Sequence, residues 1–414
     1  MSTPVSGTDG LFEISRWISE RTLAGEPETR ILEGTCERLA GLGVGLRRVL
    51  FGADTLHPVL EGRFFEWRRD RESVKQSEYG RTEPGKSHDL WLQSPFHQLL
   101  QSGESRLRRR IGPETNAPAE FPILADLAAE GITDYIAYCS RLEGSAVIGQ
   151  MDCIFSSFTT DRPSGFGDAE IEIIDRIVPC LASAILGISL GRIADTLVET
   201  YLGRDAGRRV LRGSIERGVA ERIQAVLWFS DLKGFTRIVD TVSPELVIPM
   251  LNDYADAIAS SIHDHDGQVL KLVGDGVLAT FALEESAQAC RGTLDCVMEA
   301  LRRIEAVNDA RTAKGLPTTG CYIALHVGDV FYGNIGSTDR LDFTVIGPAV
   351  NELTRMAAMS RTLDQDIILS SAFADAAGPA RDDLVSLGRY ALRGVSRPQE
   401  LFTLDRERYR SRRI

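Results

Sequence analysis

An apolar run, AVLWFS (225–230), ends in Asp231 and turns at Lys233-Gly234 into a helical pattern. Forty-four residues after Asp231, Asp275 sits between Gly274 and Gly276, flanked by QVLKLV (268–273) and VLATF (277–281). Two short apolar runs around a Gly-Asp-Gly tip predict a hairpin. If that hairpin pairs beside the 225–230 strand, Asp275 approaches Asp231, and two carboxylates facing one anionic substrate need divalent cations between them. An acid at a buried strand end, followed by a glycine turn and a helix start near Thr236, also sets a carboxylate beside free backbone amides, the arrangement of a metal–triphosphate site. Two Mg²⁺ or Mn²⁺ ions per active site are expected. The helix is expected to continue through PELVIPMLNDYADAIASSIHDH (244–265).

Four segments in this order, FSDLKGFT (229–236), VLKLVGDGVLATF (269–281), ALHVGDVFYGNIGSTDRLDFTVIGPAVNELTRM (324–356) and LRGVSRPQELF (392–402), resemble the catalytic domain of the class III nucleotidyl cyclases. The resemblance implies an α/β fold with a ferredoxin-like βαββαβ core. It also implies conversion of ATP to 3′,5′-cyclic AMP and pyrophosphate, at a site shared by two chains of a homodimer. Asp231 and Asp275 take the metal-binding positions, and Leu232, Gly234, Phe235 and Thr236 form the phosphate-holding turn. Lys271 and Thr344 take the base-recognition positions, Asn351 orients the ribose, and Arg355 stabilises the transferring phosphoryl group. One chain is expected to supply the two aspartates and the other Lys271, Thr344, Asn351 and Arg355.

Two positions depart from the common pattern. Thr344 stands where many adenylyl cyclases carry aspartate, and a hydroxyl both donates and accepts, so guanylyl cyclase remains an alternative. A nucleotide-binding pseudocyclase is the non-enzyme alternative, whereas no GGDEF-like turn points to a diguanylate cyclase. Tyr322 stands where many relatives carry an arginine that reaches the triphosphate. Arg393 is the favoured substitute cation, with Arg340 and Arg389 as the others.

The first half reads differently. Residues 11–40 have helical spacing, 61–90 and 111–120 read as loops, 132–140 and 145–158 as strands, and 168–192 as a helix. YIAYCS, the strand through Gln150 to Phe155, and RPSGFGDAEIEIIDRI (162–177) resemble the end of a GAF domain, a family of small-molecule sensors. A small-molecule or protein regulator is therefore expected at this domain. His57, His88 and His97 are isolated, and Arg106, Arg108, Arg109 and Arg110 read as a solvated basic run. Residues 186–222 read as a helix, a break and a second short helix. The resulting division is a sensor at 1–190, a helical connector at 191–221, a catalytic domain at 222–407 and a basic tail at 408–414.

Composition removes other classes. With 47 Lys and Arg against 59 Asp and Glu, the net charge of −12 disfavours nucleic acid as a partner. Seven scattered cysteines without a CxxC pair read as buried free thiols. The longest apolar stretch, IVPCLASAILGISL (177–190), reads as too short to span a bilayer, so a cytoplasmic location without membrane insertion is expected. HDHDG (263–267) reads as a helix end and turn, His326 as a core histidine, and Trp228 as core.

Overall fold

The computed structural model describes residues 7–80, 86–112, 120–144, 147–149, 151–395 and 397–412. Parts of the expected loops (81–85 and 113–119), Ser145, Ala146 and Gln150 of the expected second strand, Ser396 of the last cyclase-like segment and the last two residues of the tail lie outside the described residues. The chain divides into two compact units, Met1–Leu197 and Val198–Ile414.

In the first unit, helices α1 (Gly7–Leu23) and α2 (Glu28–Gly41) precede strands β1 (Arg48–Asp54), β2 (Leu60–Arg68) and β3 (Lys75–Gly80). Helices α3 (Lys86–Leu92) and α4 (Pro95–Ser102), strand β4 (Arg106–Arg110), helix α5 (Pro122–Ala129) and strands β5 (Asp134–Arg141) and β6 (Cys153–Thr160) follow. They form one antiparallel sheet in the order β3-β2-β1-β6-β5-β4. Ile18, Leu32 and Leu39 of α1 and α2 pack with Val49, Phe51 and Phe158 in one core, while Leu99, Leu124 and Leu127 of α4 and α5 pack with Phe155 and Leu107 in another.

Several expectations change here. Residues 61–90 are not a loop: they carry β2, β3 and α3. Strand β3 is a polar edge strand, exposed along nearly its whole length, so it lacks the apolar alternation that marks a strand in sequence. The second expected strand starts at Cys153 rather than 145. The basic run is not merely solvated: it forms β4 and is ion-paired, Arg108 and Arg110 both meeting the fully buried Asp134, at 2.7 and 3.3 Å, and Arg109 meeting Glu120 at 2.6 Å. Burying a carboxylate is tolerable only with such partners.

Helix α6 (Asp168–Leu202) runs through Gly187 and Gly191 without a break and ends just before Gly203, at φ 86°, rather than near 192. By length and composition it could cross a membrane, which the 14-residue apolar stretch did not suggest, but Ile174, Ile177, Val178, Leu181 and Ile185 are buried in the first unit's core.

In the second unit, α7 (Arg204–Leu211) and β7 (Ala220–Leu232) follow the end of α6. Helices α8 (Phe235–Thr241) and α9 (Pro244–Asp264), strands β8 (Gln268–Val273) and β9 (Gly276–Ala282), helix α10 (Ser286–Thr312) and strand β10 (Cys321–Gly336) complete a βαββαβ unit. Its strands lie antiparallel in the order β10-β7-β9-β8, the ferredoxin-like arrangement. Strand β11 (Leu341–Ile346) pairs with the far end of β10, and helix α11 (Pro348–Leu363) leads to β12 (Ile367–Ser370), parallel to β10. Helix α12 (Ser371–Ala376), strands β13 (Leu384–Tyr390) and β14 (Gln399–Leu404) and helix α13 (Arg406–Ser411) close the unit.

The expected single helix from Thr236 is two helices, because Pro244 has no N–H to continue a helix and instead sits in the first turn of α9. Alternate residues of β7 divide the layers. Val226, Trp228 and Leu232 face α9 and α10, while Ala225 and Leu227 face α11. Trp228 is fully buried, as expected. His326 is buried too, its Nδ1 lies 2.9 Å from Ser370 Oγ, and burial pushes its pKa down to about 4. The HDHDG segment ends α9, with Asp266 at φ 59°. Six of the seven cysteines are buried and Cys180 is half-buried.

Candidate active site

The last β7–β9 pair is Ser230 with Val277, so Asp231 projects one step beyond it, beside the two-residue loop Gly274-Asp275 that joins β8 to β9. Gly274 takes φ 63°, a conformation that costs a side-chain-bearing residue energy. Gly276 is required for a different reason: a Cβ there would fall 2.7 Å from Ser230 O. These two glycines seat Asp275 against the end of β7, where its Oδ2 accepts from Leu232 N at 3.2 Å. Burial first, and the Asp275 charge second, push Asp231 up to about 6, while the Arg361 guanidinium pulls the other way. A carboxylate pair that holds a proton this tightly is what a divalent cation displaces. Among the described residues no group of three or more metal-ligating side chains occurs. Two carboxylates leave the remaining coordination positions to oxygens of substrate and water, the way Mg²⁺ is usually held at phosphate-processing sites.

The other expected residues fall into separate places. Lys271 on β8 is ion-paired at 2.5 Å to Asp342 on β11, two residues from Thr344. Thr344 is buried, and among the described residues its Oγ1 has no hydrogen-bond partner, as is also true of Ser230 Oγ and Ser360 Oγ. Asn351 and Arg355 lie one helical turn apart on α11, both exposed, with Leu353 and Met356 buried on the opposite side. Among the described residues neither bonds to Asp231 or Asp275 within the chain. Leu232 is buried, Gly234 precedes α8 at φ 64°, Phe235 packs on the core and Thr236 is exposed. Arg393 is exposed in the segment between β13 and β14.

Three residues near the aspartates were not singled out as site residues from the sequence. Tyr322 stands directly opposite Asp231 in the β10–β7 register. Lys233 Nζ lies 5.2 Å from the centre of its ring. Arg361 in the last turn of α11 acts on Asp231 through its charge. Lys233 stands inside the FSDLKGFT segment, but its place beside Tyr322 comes from the pairing of β7 with β10, and neither Tyr322 nor Arg361 shares a short motif with Asp231.

Residues 219–405 match the family model of the adenylate and guanylate cyclase catalytic domain. The second unit carries a class III nucleotidyl cyclase catalytic domain. Among curated relatives of the cyclase domain, adenylate cyclase 1 of Rhizobium meliloti (strain 1021) is 30% identical over 175 residues, covering 40% of this chain and 26% of that protein. The adenylate cyclase of Anabaena cylindrica is 29% identical over 165 residues, covering 38% and 31% respectively. The chain thus spans about a quarter to a third of the length of these relatives. Among solved structures, the guanylyl cyclase Cya2 is 28% identical with a TM-score of 0.40, covering 45% of this chain and 93% of that one. The adenylyl cyclase CyaB from P. aeruginosa is 21% identical with a TM-score of 0.41, covering 45% and 95%.

Apart from the cyclase domain, the first unit holds a cavity of ≈ 980 Å³ lined by Phe64, Trp91, Phe96, Tyr135 and Phe155, with Asp54 among its polar groups. Asp54 Oδ1 accepts from Tyr79 Oη at 2.5 Å, and burial raises its pKa to about 6. The size and the apolar walls with few polar groups are those of a small-molecule site.

Proposed function

We propose that the protein is an adenylyl cyclase acting as a homodimer, regulated by a small molecule bound to its first unit. The observation that carries this reading is the Asp231–Asp275 pair, seated by Gly274 and Gly276 at the ends of two adjacent strands. These carboxylates would hold two Mg²⁺ or Mn²⁺, which supply activation of the attacking hydroxyl and neutralisation of the leaving pyrophosphate. Among the described residues Asn351 and Arg355 make no bond to the aspartates within one chain, and we take the partner's copy of α11 as the source of both groups. Asn351 orients the ribose so that its 3′ oxygen lies in line with the α-phosphorus. The Arg355 guanidinium meets the charge developing on the phosphoryl oxygens, a contribution whose loss costs about 3 kcal/mol, on the order of 100-fold in rate.

Lys271 and the unpartnered Thr344 hydroxyl read the base, the hydroxyl accepting from the adenine amino group and the ammonium donating to a ring nitrogen. Guanylyl cyclase is the second reading, because Asp342, held against Lys271, offers the acceptor that guanine's N–H groups need. Parallel measurement of cyclic AMP from ATP and cyclic GMP from GTP, with Mn²⁺ and then Mg²⁺, tests the assignment. Faster turnover of GTP would overturn it.

For the first unit, the aromatic-walled cavity and the six-stranded sheet between two helical layers support a GAF-like sensor. We place the chain in the cytoplasm, since buried free thiols suit a reducing compartment and much of the apolar surface of α6 is used in the first unit's core.

A further inference from the structure

The triphosphate needs a cation near Asp231, and Tyr322, directly opposite Asp231, supplies none. Of the arginines considered from sequence, Arg340 lies in the β10–β11 loop, Arg389 on β13 opposite Glu400 and Arg393 in the segment after it. None of these adjoins the strand that carries Asp231. Lys233 does, as the first residue after β7. It follows Asp231 by two residues, its N–H donates to Gly320 O at 2.9 Å, and its carbonyl accepts from Thr319 Oγ1 at 2.6 Å, so its backbone is fixed. Its stem passes over Gly320, where a Cβ would lie 3.2 Å from its Cδ, and its ammonium rests near the Tyr322 ring. There it is ion-paired with Asp366, whose own carbonyl accepts from Ile323 N at 2.7 Å, next to Tyr322.

Asp366 also has a second cation: Arg406 Nη2 bonds its other oxygen at 3.0 Å. Lys233 can therefore leave without stranding a half-buried carboxylate, and a four-carbon stem with three rotatable donors suits such a transfer. The pair is about one-third exposed on both sides, so a solvent-borne anion can reach it.

We propose that Lys233 is the polyphosphate-binding cation of this chain, held on Asp366 while the site is empty and transferred to the substrate's β- and γ-phosphates when nucleotide binds. Tyr322 is the platform over which it moves, and Arg406 keeps Asp366 paired after the transfer. The inference rests on the proposed cyclase reading.

The test uses the full chain with Mn²⁺, measuring the KM and kcat for ATP and, by calorimetry, the affinity for inorganic tripolyphosphate. Lys233→Met keeps the stem and removes the charge. It is expected to raise KM and weaken tripolyphosphate binding about tenfold each, the loss of one charge-assisted hydrogen bond, with a smaller change in kcat. Lys233→Arg is expected to retain most of both. Asp366→Asn, which releases the ammonium, is expected to shift both in the opposite direction, whereas a purely structural ion pair would make both removals harmful. If the wild type cyclises ATP and Lys233→Met leaves KM and tripolyphosphate affinity unchanged, or Asp366→Asn weakens them as much as Lys233→Met, the inference falls alone. If the wild type neither cyclises a nucleotide nor binds tripolyphosphate, the cyclase reading falls and takes the inference with it.

Discussion

Substituting the two glycines that flank Asp275 separates strand geometry from turn conformation. At Gly276 the backbone is not left-handed, so alanine meets only a steric obstacle: its Cβ would lie 2.7 Å from Ser230 O and 3.2 Å from Val273 O. Restoring an acceptable carbon–oxygen separation of about 3.3 Å requires β9 to withdraw from β7 by about 0.6 Å. Overpacking of this kind costs about 2 kcal/mol, which for a unit of this size lowers Tm by about 4–8 °C. The withdrawal occurs where Asp275 meets Leu232 N and Asp231. With ~100-fold lost per ångström of misplacement, Gly276→Ala should lose about tenfold in kcat/KM for ATP. Gly274→Ala is the control. Among the described residues nothing lies within 4 Å of its added Cβ, but φ 63° costs about 1 kcal/mol, so Tm should fall by about 2–4 °C with turnover per folded molecule unchanged. Calorimetry and a coupled pyrophosphate assay on both variants decide the matter. Full turnover in Gly276→Ala, or an equal loss in Gly274→Ala, would refute the idea that close β7–β9 approach seats the metal carboxylates.

Other expectations follow from the same structure. Because Asp231 is raised to about 6 in the fold from an ordinary 3.8, its contribution to the metal-free protein is stabilising below about pH 4 and is lost as pH rises through 6. Asp231→Asn should therefore raise the metal-free Tm at pH 7.5 and flatten its dependence between pH 5 and 7 in scanning calorimetry, and a lower Tm at pH 7.5 would contradict this. Ser370 accepts from Phe373 N at 3.0 Å as the cap of α12 and meets His326 Nδ1 at 2.9 Å. Ser370→Ala should cost about 2 kcal/mol in denaturant titration while leaving KM for ATP unchanged.

The chemistry of the second unit was more legible in sequence than the architecture of the first. Asp231 and Asp275 could be read because a strand end and a Gly-Asp-Gly hairpin are local features, and the pairing of β7 with β9 brings them together. The division of the helix at Pro244 is also local, yet the apolar periodicity on both sides masked it. Strand β3 was missed because an edge strand exposed on both faces shows no pattern of burial. The run of arginines could not disclose its pairing with Asp134, since that depends on the β4–β5 register. Tyr322 was marked in the sequence as the replacement of a triphosphate-reaching arginine, but the approach of Lys233 to its ring was illegible, because it depends on which strands are laid side by side.

The account as a whole requires that an aspartate pair from one chain work with α11 of another. Mixing Asp231→Ala with Arg355→Ala chains that are separately inactive, and assaying cyclic AMP after subunit exchange, tests this directly. Half of the dimers in an equal mixture carry one intact site of two, so about a quarter of wild-type activity should return. Folded, mixed dimers with no recovered activity would contradict the shared site.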